Sequence, residues 1–207
     1  MSLGKTKGNV GFYEQTFVYL TQKYNASEIM CMVRVYVNLA LNWYTPELAF
    51  WATENQLKKI RSRAKELEPI QCGSIAPNMR LLDTLGKWHD LHKDPSDYVI
   101  LYFYDPECGH CKKATPLLPA VYDKYKKYNV NLWGICTKFN TPTWRAFIKK
   151  HNLNFLNISD NGEDTFLNNM RDTYDIFSTP VIYILDKNKK IITKRIPTEK
   201  LDEWLEH

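Results

Sequence analysis

The sequence contains no apolar run of 18 residues, the length that a membrane-spanning helix needs. It also shows no secretory signal peptide. Met1-Ser2-Leu3 is typical of an expression leader and His207 of the remnant of a purification tag, so we expect the sequence to begin inside a longer protein. Membrane attachment, if there is any, is then expected only through a segment upstream of this sequence.

Cysteine is scarce, and the five residues of this type include only one close pair. A small scaffold stapled by disulfides would carry more cysteines in a shorter chain. A zinc site would need a second CxxC pair or paired histidines, so we expect no metal. Cys31 and Cys136 lie in apolar runs, which predicts buried thiols, and Cys72 lies in a loop, where we expect an ordinary rather than a reactive cysteine.

Charge of one sign is also limited, since 28 Lys and Arg residues face 23 Asp and Glu residues and leave a net charge of +5. The short basic clusters Lys58–Arg63 and Lys187–Lys190 are typical of a solvated helix face and a hairpin turn. No nucleic-acid-reading motif accompanies them, so we expect no nucleic-acid partner. The hydrophobic content of 44% is ample for a packed core and excludes a disordered chain.

One stretch carries a recognisable chemistry. The apolar run Tyr98–Tyr104 predicts a central strand covered on both faces, and Asp105-Pro106 ends it. Cys108-Gly109-His110-Cys111 follows, at the start of a helical pattern. Two cysteines at this spacing place their sulfur atoms one helical turn apart, within bridging distance, and the helix N-terminus stabilises a thiolate on the first.

The segment Tyr98–Pro116 resembles the active-site segment of thioredoxin-fold disulfide oxidoreductases, in which a proline also follows five residues after the second cysteine. Thr179-Pro180, just before the apolar run Val181–Leu185, resembles the cis-proline loop that faces the disulfide in that family. The long spacing between the two motifs and the added N-terminal elements resemble envelope proteins of the TlpA/ResA type. The helical segment at the front resembles the end of the extra domain of Bacteroidetes members, so we expect it to be the last part of a larger upstream domain.

This resemblance implies an α/β, thioredoxin-like fold, with a central mixed sheet flanked by helices and preceded by a small all-helical segment. It implies a thiol–disulfide oxidoreductase of the periplasm or cell envelope that acts on protein thiols and disulfides and works with an upstream redox partner. The redox-active disulfide Cys108–Cys111 would take the place of a separate cofactor.

Within the motif, Cys108 is the predicted nucleophile and Cys111 the residue that resolves the mixed disulfide. The dipeptide Gly109-His110 resembles the one in the active site of protein disulfide isomerase. An imidazolium at His110 would favour the thiolate of Cys108. Glu107 would raise the pKa of Cys108 instead. The sequence leaves open whether the net effect is to lower or to raise the pKa of Cys108.

Two departures from the family pattern bear on activity. Tyr102 stands where thioredoxin keeps a buried acid, and a phenol is a poor proton acceptor at neutral pH. Ile196-Pro197 stands where the family often places a glycine near the last hairpin, which could alter substrate docking. The predicted cis-proline loop, Thr179-Pro180, is expected to offer backbone groups to an extended substrate strand.

The chain divides into a helical N-terminal segment, residues 1–70, and a thioredoxin-like domain, residues 71–207. Helices are predicted over Phe12–Tyr24 and Glu28–Tyr44, and a third from Thr45-Pro46-Glu47 toward Glu66. The sequence of the second domain predicts, in order, a hairpin, the central strand, alternating helices and strands, a closing hairpin and a last helix. The helix after the two cysteines is expected to kink at Pro116, and a later helix is expected over Asp164–Tyr174.

Two other functions remain as alternatives. The domain could be a catalytically weak interaction module of an envelope lipoprotein, although both motif cysteines argue against a disused site. A peroxidase would usually have threonine three residues before its reactive cysteine, and Asp105 stands there.

Overall fold

The computed structural model describes residues 10–25, 31–138, 142–159 and 172–206. The chain divides into two units, the first ending at Gln71 and the second beginning at Cys72. The proposed domains, 1–70 and 71–207, stay a prediction that expression of the second segment alone would test.

The first unit is helical. Its helices are α1 (Val10–Asn25), α2 (Val33–Asn42) and α3 (Glu54–Leu67), and α2 packs against both of the others. Aromatic and aliphatic side chains form its core: Tyr13, Phe17, Leu39, Tyr44, Ala49 and Leu57. Tyr13 and Phe17 lie four residues apart on α1, and this helical spacing of aromatic side chains predicted the first helix.

The predicted start of the third helix, at Thr45-Pro46-Glu47, is wrong. Thr45 begins only a turn, in which the Ala49 amide donates to the Thr45 carbonyl at 2.8 Å. Helix α3 begins at Glu54, where Thr53 and Gln56 form a capping box that satisfies exposed amide groups at both positions. Residues 28–30 of the second predicted helix lie outside the described ranges.

Within its described residues, the second unit is built on a seven-stranded sheet. Its strands are β1 (Arg80–Asp83), β2 (Trp88–Asp90), β3 (Tyr98–Tyr104), β4 (Val130–Cys136), β5 (Leu156–Ser159), β6 (Val181–Asp186) and β7 (Ile191–Lys194). Their order across the sheet is β2-β1-β5-β4-β3-β6-β7. Strands β3, β4 and β5 are parallel, whereas β1, β6 and β7 run antiparallel to their neighbours. The mixed sheet predicted from the sequence is therefore present.

Strand β3 lies between β4 and β6 and is buried along its length except at Tyr98. This burial explains why its sequence is an uninterrupted apolar run rather than an alternating one.

Helices flank the sheet: α4 (Gly109–Ala114), α5 (Leu118–Tyr125), α6 (Pro142–Lys150) and α7 (Leu201–Leu205). A 3₁₀ turn, Thr115–Leu117, separates α4 from α5 at Pro116, which agrees with the predicted interruption by proline. A further helix was predicted over Asp164–Tyr174, and most of it lies outside the described residues. None of the helices in the described ranges is long and apolar enough to cross a membrane.

Two cysteine predictions need correction. Cys31 and Cys72 are disulfide-bonded, and Cys31 is half-buried rather than buried. The sequence argument missed this because it considered only cysteines that are close along the chain. Cys136 is a fully buried free thiol, as predicted.

Candidate active site

A tight turn connects the end of β3 to the CxxC helix. The carboxylate of Asp105 accepts a hydrogen bond from the Glu107 amide at 2.8 Å, and the Asp105 carbonyl accepts one from the Cys108 amide at 3.1 Å. Cys108 has extended backbone angles, while its carbonyl accepts a helical bond from the Lys112 amide. Cys108 is therefore the N-cap residue of α4, as its place after Asp105-Pro106 predicted.

Cys108 is the more accessible cysteine of the pair. It is half-buried, and its Sγ atom donates to the Thr179 carbonyl oxygen at 3.4 Å. Burial raises its pKa, but hydrogen bonds from the Cys111 backbone, from the Thr179 side chain and from the His110 backbone outweigh burial, so that the pKa lies below its ordinary value. A lowered pKa increases the thiolate fraction at neutral pH.

Cys111 lies one helical turn along α4 and is fully buried. Its Sγ atom accepts a hydrogen bond from the Asp105 amide at 3.5 Å. Burial raises the pKa of Cys111 to about 11, because hydrogen bonds from Thr179 and the Asp105 backbone offset only part of the desolvation. The two thiols thus differ in both accessibility and acidity.

The loop that faces the motif contains the predicted cis peptide bond between Thr179 and Pro180. Both residues are half-buried. The residues before them are anchored, since Tyr174, Asp175 and Ile176 are buried. The structure therefore brings together Cys108 and Thr179, two residues that are 71 positions apart in the sequence.

A cavity of about 260 Å³ lies beside the motif. His110 and Lys113 line it from α4, Pro180 from the cis-proline loop, and the segment Ile196–Glu199 from the corner after β7. Glu107, Gly109 and His110 are exposed. That the Glu107 carboxylate and the His110 imidazole shift the pKa of Cys108 stays a prediction.

Tyr102 is fully buried in the same core cluster as Cys111. Its hydroxyl lies 2.8 Å from Thr115 Oγ1, and its ring stacks on Tyr104 with centroids 5.5 Å apart. Burial raises the pKa of Tyr102 well above its ordinary value. The Tyr102 side chain is therefore neutral at every physiological pH.

A second buried hydrogen-bonded chain lies next to this one. Trp144 Nε1 donates to the Tyr104 hydroxyl at 2.8 Å, and that hydroxyl donates to Asn157 Oδ1 at 3.1 Å. The Asn157 amide group then donates to two backbone carbonyls. The polar atoms of this chain are thus paired inside the core next to β3, the strand that precedes the motif.

Sequence reasoning missed three residues near the site. Thr115 could have been found, because it lies four residues after Cys111 and so on the same helix face. Asp175 and Arg195 could not, because their ion pair, with 2.7 Å between Arg195 Nη2 and Asp175 Oδ2, joins two loops that are distant in the sequence. Over the ranges that the structure covers, no group of three or more His, Cys, Asp and Glu side chains could hold a metal ion.

A CxxC helix after the central strand of a mixed sheet, faced by a cis-proline loop, defines a protein of the thioredoxin-fold class. The chain belongs to the AhpC/TSA family, which matches residues 72–194, more than half of its length.

The chain is similar to the thiol-disulfide oxidoreductase ResA of Bacillus thuringiensis subsp. konkukian, with 28% identity over 139 residues, or 67% of this chain and 77% of the relative. It is also similar to the solved structure of a domain of a possible thiol-disulfide isomerase from Cytophaga hutchinsonii. That domain shares 37% identity and a TM-score of 0.58, over 65% of this chain and 90% of that one. These findings confirm the predicted resemblance to ResA-type oxidoreductases and to Bacteroidetes relatives.

A thioredoxin-like protein from Bacteroides caccae matches over 93% of this chain and 70% of its own, with a TM-score of 0.75 and 18% identity. At that identity the likeness concerns the fold alone. It supports the predicted fold class, a thioredoxin-like domain with helices before the first strand.

Proposed function

We propose that this protein exchanges dithiol and disulfide with protein substrates through Cys108 and Cys111. The observation that carries the proposal is the contrast between the two thiols. Cys108 is accessible and has a lowered pKa, whereas Cys111, one turn away, is buried and has a raised pKa. Membership of a family with thiol-disulfide oxidoreductase relatives supports the same kind of redox chemistry.

The first step is an attack by the Cys108 thiolate on one sulfur of a substrate disulfide. The substrate S–S bond breaks, a Cys108–substrate disulfide forms, and the departing substrate thiolate takes up a proton from solvent. The lowered pKa of Cys108 favours this step because only the thiolate is nucleophilic.

In the second step Cys111 loses its proton and attacks Cys108 Sγ. The mixed disulfide breaks, the second substrate thiolate leaves and takes up a proton, and the Cys108–Cys111 disulfide remains. The substrate has gained two electrons and two protons, which the two cysteines have lost. The raised pKa of Cys111 makes its deprotonation the demanding part of this step.

Continued turnover needs a second redox partner. If the protein reduces its substrates, an upstream dithiol must reduce the Cys108–Cys111 disulfide after each turnover. If the protein oxidises its substrates, an upstream disulfide must oxidise the Cys108–Cys111 dithiol again. We propose that its substrates are protein thiols and disulfides and that one upstream redox partner regenerates it. The Cys108–Cys111 disulfide would be its sole redox group. No nucleic-acid partner is expected.

We propose the periplasm or cell envelope as its location. The disulfide-bonded state of Cys31 and Cys72 supports this, because structural disulfides persist in oxidising compartments and are rare in the cytosol. The ResA relatives and the resemblance to envelope proteins point the same way.

The direct experiment is the reduction of insulin disulfides with dithiothreitol as the electron donor. The wild-type protein should accelerate insulin precipitation, and Cys108→Ser should reduce the rate to background. Cys136→Ser is the matched control, since it removes a buried thiol that is outside the motif. Full activity in Cys108→Ser would refute the proposal.

One observation favours the alternative of a catalytically weak interaction module. Tyr102, neutral and buried, replaces an acid that would accept the Cys111 proton. The two functions separate in the insulin assay, since an interaction module would show background rates in the wild-type protein too.

The direction of electron flow follows from the reduction potential of the Cys108–Cys111 pair. A value of about −270 mV would indicate a reductant, and a value of about −120 to −180 mV would indicate an oxidant or isomerase.

A further inference from the structure

Arg195 makes hydrogen bonds to both ends of the cis-proline loop. Its backbone amide donates to the Ile182 carbonyl at 2.6 Å, just after the loop. Its guanidinium donates to the Asp175 carbonyl at 2.8 Å and to Asp175 Oδ2 at 2.7 Å, just before the loop. One residue therefore fixes the span of the six-residue segment Ile176–Val181, which contains Thr179 and Pro180.

Both members of the ion pair have backbone angles that few side chains adopt. The φ angle is 55° at Asp175 and 61° at Arg195, in the left-handed region that favours glycine. Asp175 is 5% exposed, whereas the Arg195 side chain is 44% exposed. Residues held in such angles mark places where the surrounding contacts dictate the backbone, and these places cluster at functional sites.

The same residue also leads into the other wall of the active-site cavity. Arg195 directly precedes Ile196-Pro197, and the segment Ile196–Glu199 lines the cavity together with Pro180 and His110. Thr179 on the loop accepts the hydrogen bond from Cys108 Sγ. Arg195 thus connects the loop that contacts Cys108 with the corner that faces it across the cavity.

We propose that Arg195 is a positioning residue for protein disulfides: it holds the cis-proline loop and the Ile196–Glu199 corner at the separation at which a peptide flanking a disulfide docks beside Cys108. This inference rests on the proposed function. A loop whose ends are already fixed loses less conformational entropy when a peptide binds, so the ion pair lowers the cost of docking. A small disulfide has no long flanking peptide to lie along the two walls, so its reaction at Cys108 should depend less on the ion pair.

The test compares two substrates in the full chain. Arg195→Asn removes the guanidinium and keeps a residue that tolerates left-handed angles. We expect its KM for insulin to rise about tenfold, since a misplacement of about 1 Å in a positioning group can cost as much as about 100-fold. Its kcat with oxidised glutathione and the Cys108–Cys111 reduction potential should stay at wild-type values. Arg195→Lys keeps the charge but not the planar guanidinium group, so its KM for insulin should lie between those of the wild type and Arg195→Asn.

The matched control is Lys200→Asn, which removes an exposed ion pair to Glu203, 2.7 Å long, near the same corner. It should leave KM unchanged for both substrates. If Arg195→Asn does not fold, Asp175→Asn removes the charge with almost no change of shape and should shift KM for insulin in the same direction by a smaller factor.

Three outcomes would overturn the inference. Arg195→Asn could behave like Lys200→Asn, or it could lose activity equally on both substrates together with thermal stability, which would indicate a purely structural role. If the wild-type protein reduces neither substrate, the proposed function itself fails and the inference falls with it. The wild-type rates thus distinguish the two failures.

Discussion

The hydroxyl of Tyr102 lies 2.8 Å from Thr115 Oγ1, in the buried cluster that also contains Cys111. Thr115 follows Cys111 by one helical turn, so the two polar atoms pair on the face of the helix that covers β3. Burial keeps the phenol neutral, because its pKa is raised well above the ordinary value. Tyr102 therefore contributes a structural hydrogen bond rather than a titrating group.

The first prediction follows from that pairing. Tyr102→Phe should leave insulin reduction within about threefold of wild type, since a neutral phenol does not accept the Cys111 proton. The free energy of unfolding should fall by about 1 kcal/mol, the usual contribution of one internal hydrogen bond. Urea unfolding and the insulin assay measure the two effects. A loss of activity beyond about 100-fold would mean that the phenol takes part in proton transfer.

The second prediction concerns the reactivity of the three free thiols in the reduced protein. Alkylation by iodoacetamide should modify Cys108 first, with a midpoint below the ordinary cysteine pKa. Cys111 should react only as the pH approaches 11, and Cys136, which is fully buried with its pKa raised to about 12 by burial, should stay unmodified below that pH. Mass spectrometry of peptides after timed alkylation gives all three profiles. Equal rates at Cys108 and Cys111 near pH 8 would contradict the assignment of roles.

The third prediction is a loss of stability of the reduced protein at alkaline pH. The pKa of Cys111 is 9.0 in its ordinary state and about 11 in the folded protein, so the unfolded chain releases this proton first. The contribution of the neutral Cys111 thiol to the free energy of unfolding is fully present below about pH 9. As the pH rises toward 11, the free energy of unfolding should fall by roughly 2 kcal/mol. Urea unfolding at pH 8 and pH 10.5 measures the change. Cys111→Ala should show a smaller drop than wild type, and an identical drop would refute the prediction.

The fourth prediction concerns Tyr104. Tyr104→Phe leaves Trp144 Nε1 and Asn157 Oδ1 without the hydroxyl that pairs with both inside the core. We expect a loss of about 1–3 kcal/mol in the free energy of unfolding, because buried groups without partners carry their full desolvation cost. Tyr128→Phe, at a tyrosine that is 61% exposed, is the control and should change stability little. A loss no larger than that of Tyr128→Phe would show that water replaces the hydroxyl.

The sequence predicted the features that depend on local patterns. The run Tyr98–Tyr104 became the central strand because burial on both faces demands continuous apolar character. Asp105-Pro106 ended it, and Cys108 became the helix N-cap. Thr179-Pro180 has the predicted cis peptide bond and lies against Cys108.

The sequence did not predict features that depend on distant contacts or on competing local signals. The turn at Thr45-Pro46 looks like a helix start, but the capping box at Thr53 and Gln56 satisfies two backbone donors and sets the start there. The ion pair of Asp175 and Arg195 depends on how two loops meet, which no spacing rule reveals. The disulfide-bonded state of Cys31 and Cys72 was not predicted because neither residue has another cysteine close to it in the sequence.

The central claim is that Cys108 attacks the substrate and Cys111 resolves the mixed disulfide. The measurement that tests it most directly is the capture of a mixed disulfide with insulin, followed by non-reducing gel electrophoresis and mass spectrometry. Cys111→Ser should accumulate insulin on Cys108, because the second step cannot occur. Cys108→Ser should accumulate none, since its remaining motif thiol is buried and has a raised pKa. Accumulation on Cys111 in Cys108→Ser, with none on Cys108 in Cys111→Ser, would contradict the account.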